Sequence, residues 1–162
     1  VNPRSLFEEL MRSAVSRFVL LLLTVAFVRE ARAADAQTVK IDVQVISATT
    51  GDGGVDKRLE KLRDRLSEYR YSSYQLVSEQ TVTAALNSSQ TLELPEKHVL
   101  VVTPKSIEPN GNIRVHLNVR GENKPNLLDT TYTIAPGKDL VVGVKQKDGG
   151  AMMIALRHRA EK

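Results

Sequence analysis

Between residues 113 and 120 the chain alternates without a break: Ile113, Val115, Leu117 and Val119 interleave with Arg114, His116, Asn118 and Arg120. A period of two puts successive side chains on opposite faces of a strand, one dry and one wet. A dry face needs a second layer to cover it. Val39, Ile41, Val43 and Val45 alternate with Lys40, Asp42 and Gln44 in the same way. The chain must therefore build a layered β structure rather than a helical bundle.

The stretches between and after these runs carry turn chemistry at short intervals. Strands are expected over 74–80, 82–86, 91–94 and 99–103, with Asn87-Ser88-Ser89 and Pro95-Glu96-Lys97 as turns and Pro104 ending or edging its strand. Asn110-Gly111 signals a tight turn. Residues 122–126 read as a loop and 128–134 as a strand with Thr130, Tyr132 and Ile134 in phase. Pro136-Gly137 supplies a turn with glycine at positive φ. Strands over 140–144 and 151–156, joined by residues 146–150, close the series, and Arg157 to Lys162 reads as a polar tail that frays. Short strands at this spacing favour a small antiparallel β-sandwich or open barrel.

One helix accompanies them. Val55, Leu59, Leu62, Leu66 and Tyr69 recur at helical spacing, which predicts an amphipathic helix over about 55–69 packed on the sheet. Asp56 stands where a carboxylate suits exposed backbone amides. The fold class is thus α+β, mainly antiparallel β. Before the helix, the GDGG stretch at 51–54 lacks both the P-loop ending and the dinucleotide spacing, so it reads as a connector.

The first 33 residues differ from the rest. They hold all three phenylalanines, and residues 18–28 (FVLLLLTVAFV) are uncharged and apolar. Arg12 and Arg17 precede that run, and Ala31-Arg32-Ala33 follows it. A charged start, an apolar run and A-x-A form a secretory signal peptide. Cleavage is expected between Ala33 and Ala34, with Ala36 as an alternative. Met11 is a better start than Val1, so residues 1–10 read as upstream of the true start. The apolar run is short of the ~20 residues of a permanent span, which leaves an uncleaved inner-membrane anchor as the alternative reading. Residues 34–162 then form a single exported domain, large enough to bury roughly two thirds of its extended surface.

Charge and chemistry exclude more than they suggest. Five of the 23 basic and three of the 19 acidic residues lie in 1–33, which leaves a net charge of +2 beyond them. The basic residues of the expected helix flank its apolar stripe on both sides, so no nucleic-acid face is expected. The chain has no cysteine, which removes disulfides, thiol catalysis and cysteine-ligated zinc. Its three histidines, His98, His116 and His158, show no metal-ligand spacing, and a two-residue turn at Asn110-Gly111 would set His116 opposite Lys105, not His98. No nucleophile motif surrounds Ser72, Ser73, Ser88 or Ser89. No catalytic residue, metal ligand or cofactor is expected. Tyr69, Arg70, Tyr71 and Tyr74 are the binding candidates, as a rim that stacks on a ligand or, alternatively, as bulk at the core margin.

Residues 131–143 (TYTIAPGKDLVVG) resemble a strand, turn and strand pattern of secretins, the outer-membrane rings of bacterial export systems. Pro136-Gly137, Leu140-Val141-Val142 and Gly143 carry the likeness; Val144 stands where secretins usually have a second glycine. The likeness covers about a dozen residues and points to an envelope-assembly accessory. The resulting expectation is a non-enzymatic protein, periplasmic or secreted, that binds an envelope or secretion-complex protein and meets the membrane only through its signal peptide. A soluble binder of a sugar or small apolar ligand and an unrecognised hydrolase are the alternatives.

Overall fold

The computed structural model describes residues 37–159. The segment read as an export signal, with Ala31, Ala33 and Ala34, and the last three residues lie outside them. Within the described residues the strands are β1 (Thr38–Thr49), β2 (Gly54–Val55), β3 (Ser73–Ala85), β4 (Gln90–Leu94), β5 (His98–Ile107), β6 (Ile113–Gly121), β7 (Lys124–Ile134), β8 (Asp139–Lys145) and β9 (Ala151–Arg159). They form two sheets, ordered β2-β3-β1-β9-β8 and β4-β5-β6-β7. All neighbours are antiparallel except β2, whose two residues run parallel to the start of β3.

Two apolar clusters hold these layers. The larger joins the sheets: Val39, Ile41, Val43 and Val45 of β1 and Met152, Ile154 and Leu156 of β9 share it with Leu100, Val102, Ile113, Val115, Leu117 and Val119 of the second sheet. The other face of the first sheet carries the smaller cluster. There Ile46, Ala48, Ala151, Met153 and Ala155 lie beneath Leu59, Leu62 and Leu66. β9 sits between β1 and β8 and is covered on both faces, so residues 151–156 are all buried. Their unbroken apolar run (AMMIAL) is what a doubly covered strand requires.

The helix expected over 55–69 is shorter and of two kinds. Val55 belongs to β2, residues Lys57–Leu62 form a 3₁₀ helix, and only Arg63–Leu66 is α-helical. The apolar spacing explains the change. Leu59 and Leu62, three apart, align on a 3₁₀ helix of three residues per turn; Leu62 and Leu66, four apart, align on an α turn. Asp56 caps the start, accepting from the Arg58 amide at 3.0 Å, and the Arg58 guanidinium grips it at 2.6 Å. These bonds lower the Asp56 carboxyl to about 2.

Other boundaries also move. Residues 74–80 and 82–86, read as two strands, are one strand, β3, with Val77 as an extra residue between the pairs Val45–Ser78 and Ile46–Leu76. The bulge flips the phase, so Val82 and Ala84 serve the larger cluster while Tyr74 and Leu76 serve the smaller. β5 runs past Pro104, because Lys105 is a second bulge and a proline is tolerated beside one. β7 starts at Lys124, inside the expected loop. β9 continues through Arg159, so the expected frayed tail is ordered to that point. Pro136-Gly137, with Gly137 at φ 68°, carries the chain from one sheet to the other.

Candidate functional site

The tyrosine rim forms the seam between the helical segment and the first sheet. Tyr74 is buried, and its hydroxyl donates to the Leu66 carbonyl at 2.8 Å. That carbonyl ends the short α turn, where it also accepts from the Tyr69 amide at 3.1 Å. Tyr69 is half-buried and donates to the Val141 carbonyl of β8 at 2.9 Å. Burial raises both phenols above their ordinary value. Tyr71 packs against the smaller cluster, and Arg70 is exposed. Tyr69 also lines a groove of about 330 Å³ with Arg65, Glu68, Lys138 and Leu140.

Sequence reasoning missed a polar ladder on the same face of the first sheet. Arg157 of β9 holds Asp139 of β8 through two bonds of 2.7 and 2.6 Å. Arg159 donates to Asp42 of β1 at 2.6 Å, and Asp42 accepts from Thr81 of β3 at 2.7 Å. Gln44 bonds Glu79 at 3.2 Å. These residues, with Lys57 and Lys61 of the helical segment, line a groove of about 480 Å³. Positive and negative groups alternate along it and neutralise one another. The signal was present in the parity of β9: Arg157 and Arg159 continue the face of Met153 and Ala155. Reading them as a tail hid it.

The histidines stay apart. His116 faces Thr103 across β5 and β6, not Lys105: the loop between Ile107 and Ile113 moves the register by one residue from that of a two-residue turn, and the bulge at Lys105 moves it by one more. Its ring lies 3.2 Å from Asp129 and 3.3 Å from the Thr131 hydroxyl, both on neighbouring β7. This line of Asp, His and Thr lies on the open outer face of the second sheet, where water competes for every bond in it. His98 bonds the Pro95 carbonyl at 2.8 Å. Among the described residues no group of three or more His, Asp or Glu could hold a metal ion.

His158 differs from the other two. It follows Met152, Ile154 and Leu156 on the inner face of β9, opposite Ile41. It is only 7% exposed, and its Nδ1 has no hydrogen-bond partner. Burial lowers its pKa below 6.5, so the folded protein holds the ring neutral. Its strand neighbours Arg157 and Arg159 turn to the opposite face, toward Asp139 and Asp42. The unfolded chain takes up a proton near pH 6.5 and the folded chain only at lower pH. Stability is therefore constant above 6.5 and falls as pH drops toward the folded pKa. Urea midpoints measured from pH 7.5 to 5 should decline below 6.5, and His158→Phe should flatten that decline. An equal decline in both proteins would refute the assignment.

The sheet edges complete the survey. β4 is only five residues long. β7 carries Lys124, Pro125 and Asp129, and β8 is tied to Tyr69 through Val141. Charge, proline and covering side chains are the ordinary protections of an edge. β3 lacks them. On its outer side β2 pairs only Ser73 and Tyr74, and the rest of the strand carries one charge, Glu79, with no lysine or proline. Val77, at its bulge, is 50% exposed.

Among the described residues no helix is long and apolar enough to cross a membrane. No protein-family model matches the chain, and neither a curated protein nor a solved structure is significantly similar to it.

Proposed function

We propose that this chain is an exported, non-enzymatic β-sandwich that serves as a binding or assembly accessory of the bacterial cell envelope, and that it takes an extended segment of an envelope protein onto the free edge of β3. The observation that carries the reading is that edge: residues 77–85, beyond the stretch held by β2, Asp56 and Arg58, have no strand partner on the outer side, no lysine and no proline. An added strand gains main-chain hydrogen bonds along the edge, and alternate side chains on either face give it specificity. The helical segment and the tyrosines supply rigidity rather than contact, since they fix the sheet whose edge is offered. Export rests on the apolar run and A-x-A of the first 33 residues.

The test is crosslinking in the producing cell, with a photoreactive residue at Gln80 on the β3 edge or at Arg114 on the outer face of the other sheet. The Gln80 probe should join a processed form of the chain to one or two defined envelope proteins, and the Arg114 probe should not. Adding lysines at the edge, Gln75→Lys with Gln80→Lys, should abolish the capture of the same partner by a probe at Thr83 while the melting temperature stays unchanged. A processed chain that remains uncrosslinked, or partners captured equally from Arg114, would overturn the proposal.

A further inference from the structure

The larger cluster is open at one end. β1 enters there with Gln37, Thr38 and Val39, and β9 leaves with His158 and Arg159. From the other sheet come Ile107 and the turn at Gly111, and Pro136 arrives from the crossover. Together they line an open cleft of about 330 Å³. Its size lies at the lower limit of small-molecule sites, which run from about 300 to 1,000 Å³. Val39, Ile107 and Pro136 make apolar walls, and Ile107 is one of two large hydrophobic side chains with substantial exposure among the described residues, at 37%.

Gln37, Thr38 and Arg159 stand at its exposed rim, and one buried polar group is built into it. His158 lines the cleft, and its Nδ1 is sealed from solvent without a partner. A neutral imidazole carries a single ring proton. A buried donor left unpaired is rarer and more costly than a buried acceptor, so the proton belongs on Nε2. With Nδ1 sealed, Nε2–H is the group the ring can offer to the cleft. Arg159, at the rim, is already bonded to Asp42 at 2.6 Å and brings little net charge.

We propose that this end of the sandwich binds a small uncharged molecule with an apolar body and one hydrogen-bond acceptor, such as a ketone, ether or ester oxygen, which receives the His158 Nε2–H. An ion of either sign is costly to bury against Val39, Ile107 and Pro136. The site is independent of the β3 edge and stands or falls without it.

Cyclohexanone and cyclohexylamine, similar in shape but opposite in chemistry, provide the test. The ¹⁵N-labelled full chain is titrated with each at pH 7.5, and backbone amides and imidazole nitrogens are followed by NMR. Cyclohexanone should shift Val39, Ile107, Gly111 and the His158 Nε2 in a saturable way; cyclohexylammonium should not. His158→Phe should weaken the ketone about tenfold while the shifts stay at the same residues. Shifts scattered over exposed apolar positions such as Val77, no saturation, equal binding of the ammonium, or an unchanged affinity in His158→Phe would each overturn the assignment.

Discussion

Leu117→Ala should lower the unfolding free energy by about 3 kcal/mol, the middle of the range for emptying a buried leucine site. Leu117 is 0% exposed on β6, with Val102 of β5 on one side and Thr130 of β7 on the other. The cluster it belongs to includes Val43 and Val45 of the facing sheet, and β-branched side chains predominate in it. Such residues are stiff at χ1 and relax poorly into a cavity. The described core has no phenylalanine or tryptophan that could swing in. A loss of this size is a large part of the ~5–15 kcal/mol that holds a domain together. His116→Ala, one residue away on the wet face of the same strand, should stay within about 0.5 kcal/mol. Urea titration followed by far-UV circular dichroism separates the two. Equal losses would mean that the alternation of β6 does not sort its side chains between core and solvent.

The second large effect concerns Tyr74, and it separates the two readings of the tyrosines. Tyr74→Ala should cost about 3–5 kcal/mol, as for other buried aromatics. Tyr74→Phe should cost about 0.5–1.5 kcal/mol, because the ring stays while the Leu66 carbonyl loses one of its two donors and keeps the Tyr69 amide. The damage should also be local. Hydrogen exchange at the Ser67 amide, which bonds the Arg63 carbonyl, should accelerate in Tyr74→Phe, while amides of β5 and β6 follow only the global loss. If Tyr74→Ala were neutral in stability, the hydroxyl would not be holding the helical segment, and the tyrosine would be free for a ligand.

These two residues also mark what was legible in the sequence. Leu117 was plain, because a strand with one wet face writes its environment as alternation. The turns at Asn110-Gly111 and Pro136-Gly137 were plain for a similar reason: Gly111 and Gly137 adopt φ of 81° and 68°, where a side chain is strained. The expected antiparallel β-rich fold follows from these features. The bulges were not legible. Val77 and Lys105 each insert one residue, which moves the phase of everything beyond them, and nothing local distinguishes them from their neighbours. Nor does alternation say which of two sheets a strand joins, so the crossover at Pro136 looked like any other turn. β9 was legible over 151–156, but its continuation was not: covered on both faces, it has no alternation until Arg157 and Arg159 emerge.

For the candidate site, the residue types were legible and their placement was not. The tyrosines stood out as the only aromatics after residue 33. Their hydroxyls reach carbonyls 8 and 72 residues away, and no local pattern records such partners. The β3 edge is visible only once the strand order is known.

That strand order has a consequence for the time at which the protein can fold. β9, synthesised after every other described strand, slots between β1 and β8, and its Arg159 reaches Asp42 across 117 positions of sequence. Until β9 emerges, β1 has a partner on one side only and β8 has none in its sheet. The second sheet, a meander of four successive strands, can pair as it appears; the first cannot close before the chain is nearly complete. Contacts this distant also slow the closing step. Under the export proposed above, this order would leave the first sheet unclosed until β9 has been made, so its closure would come last.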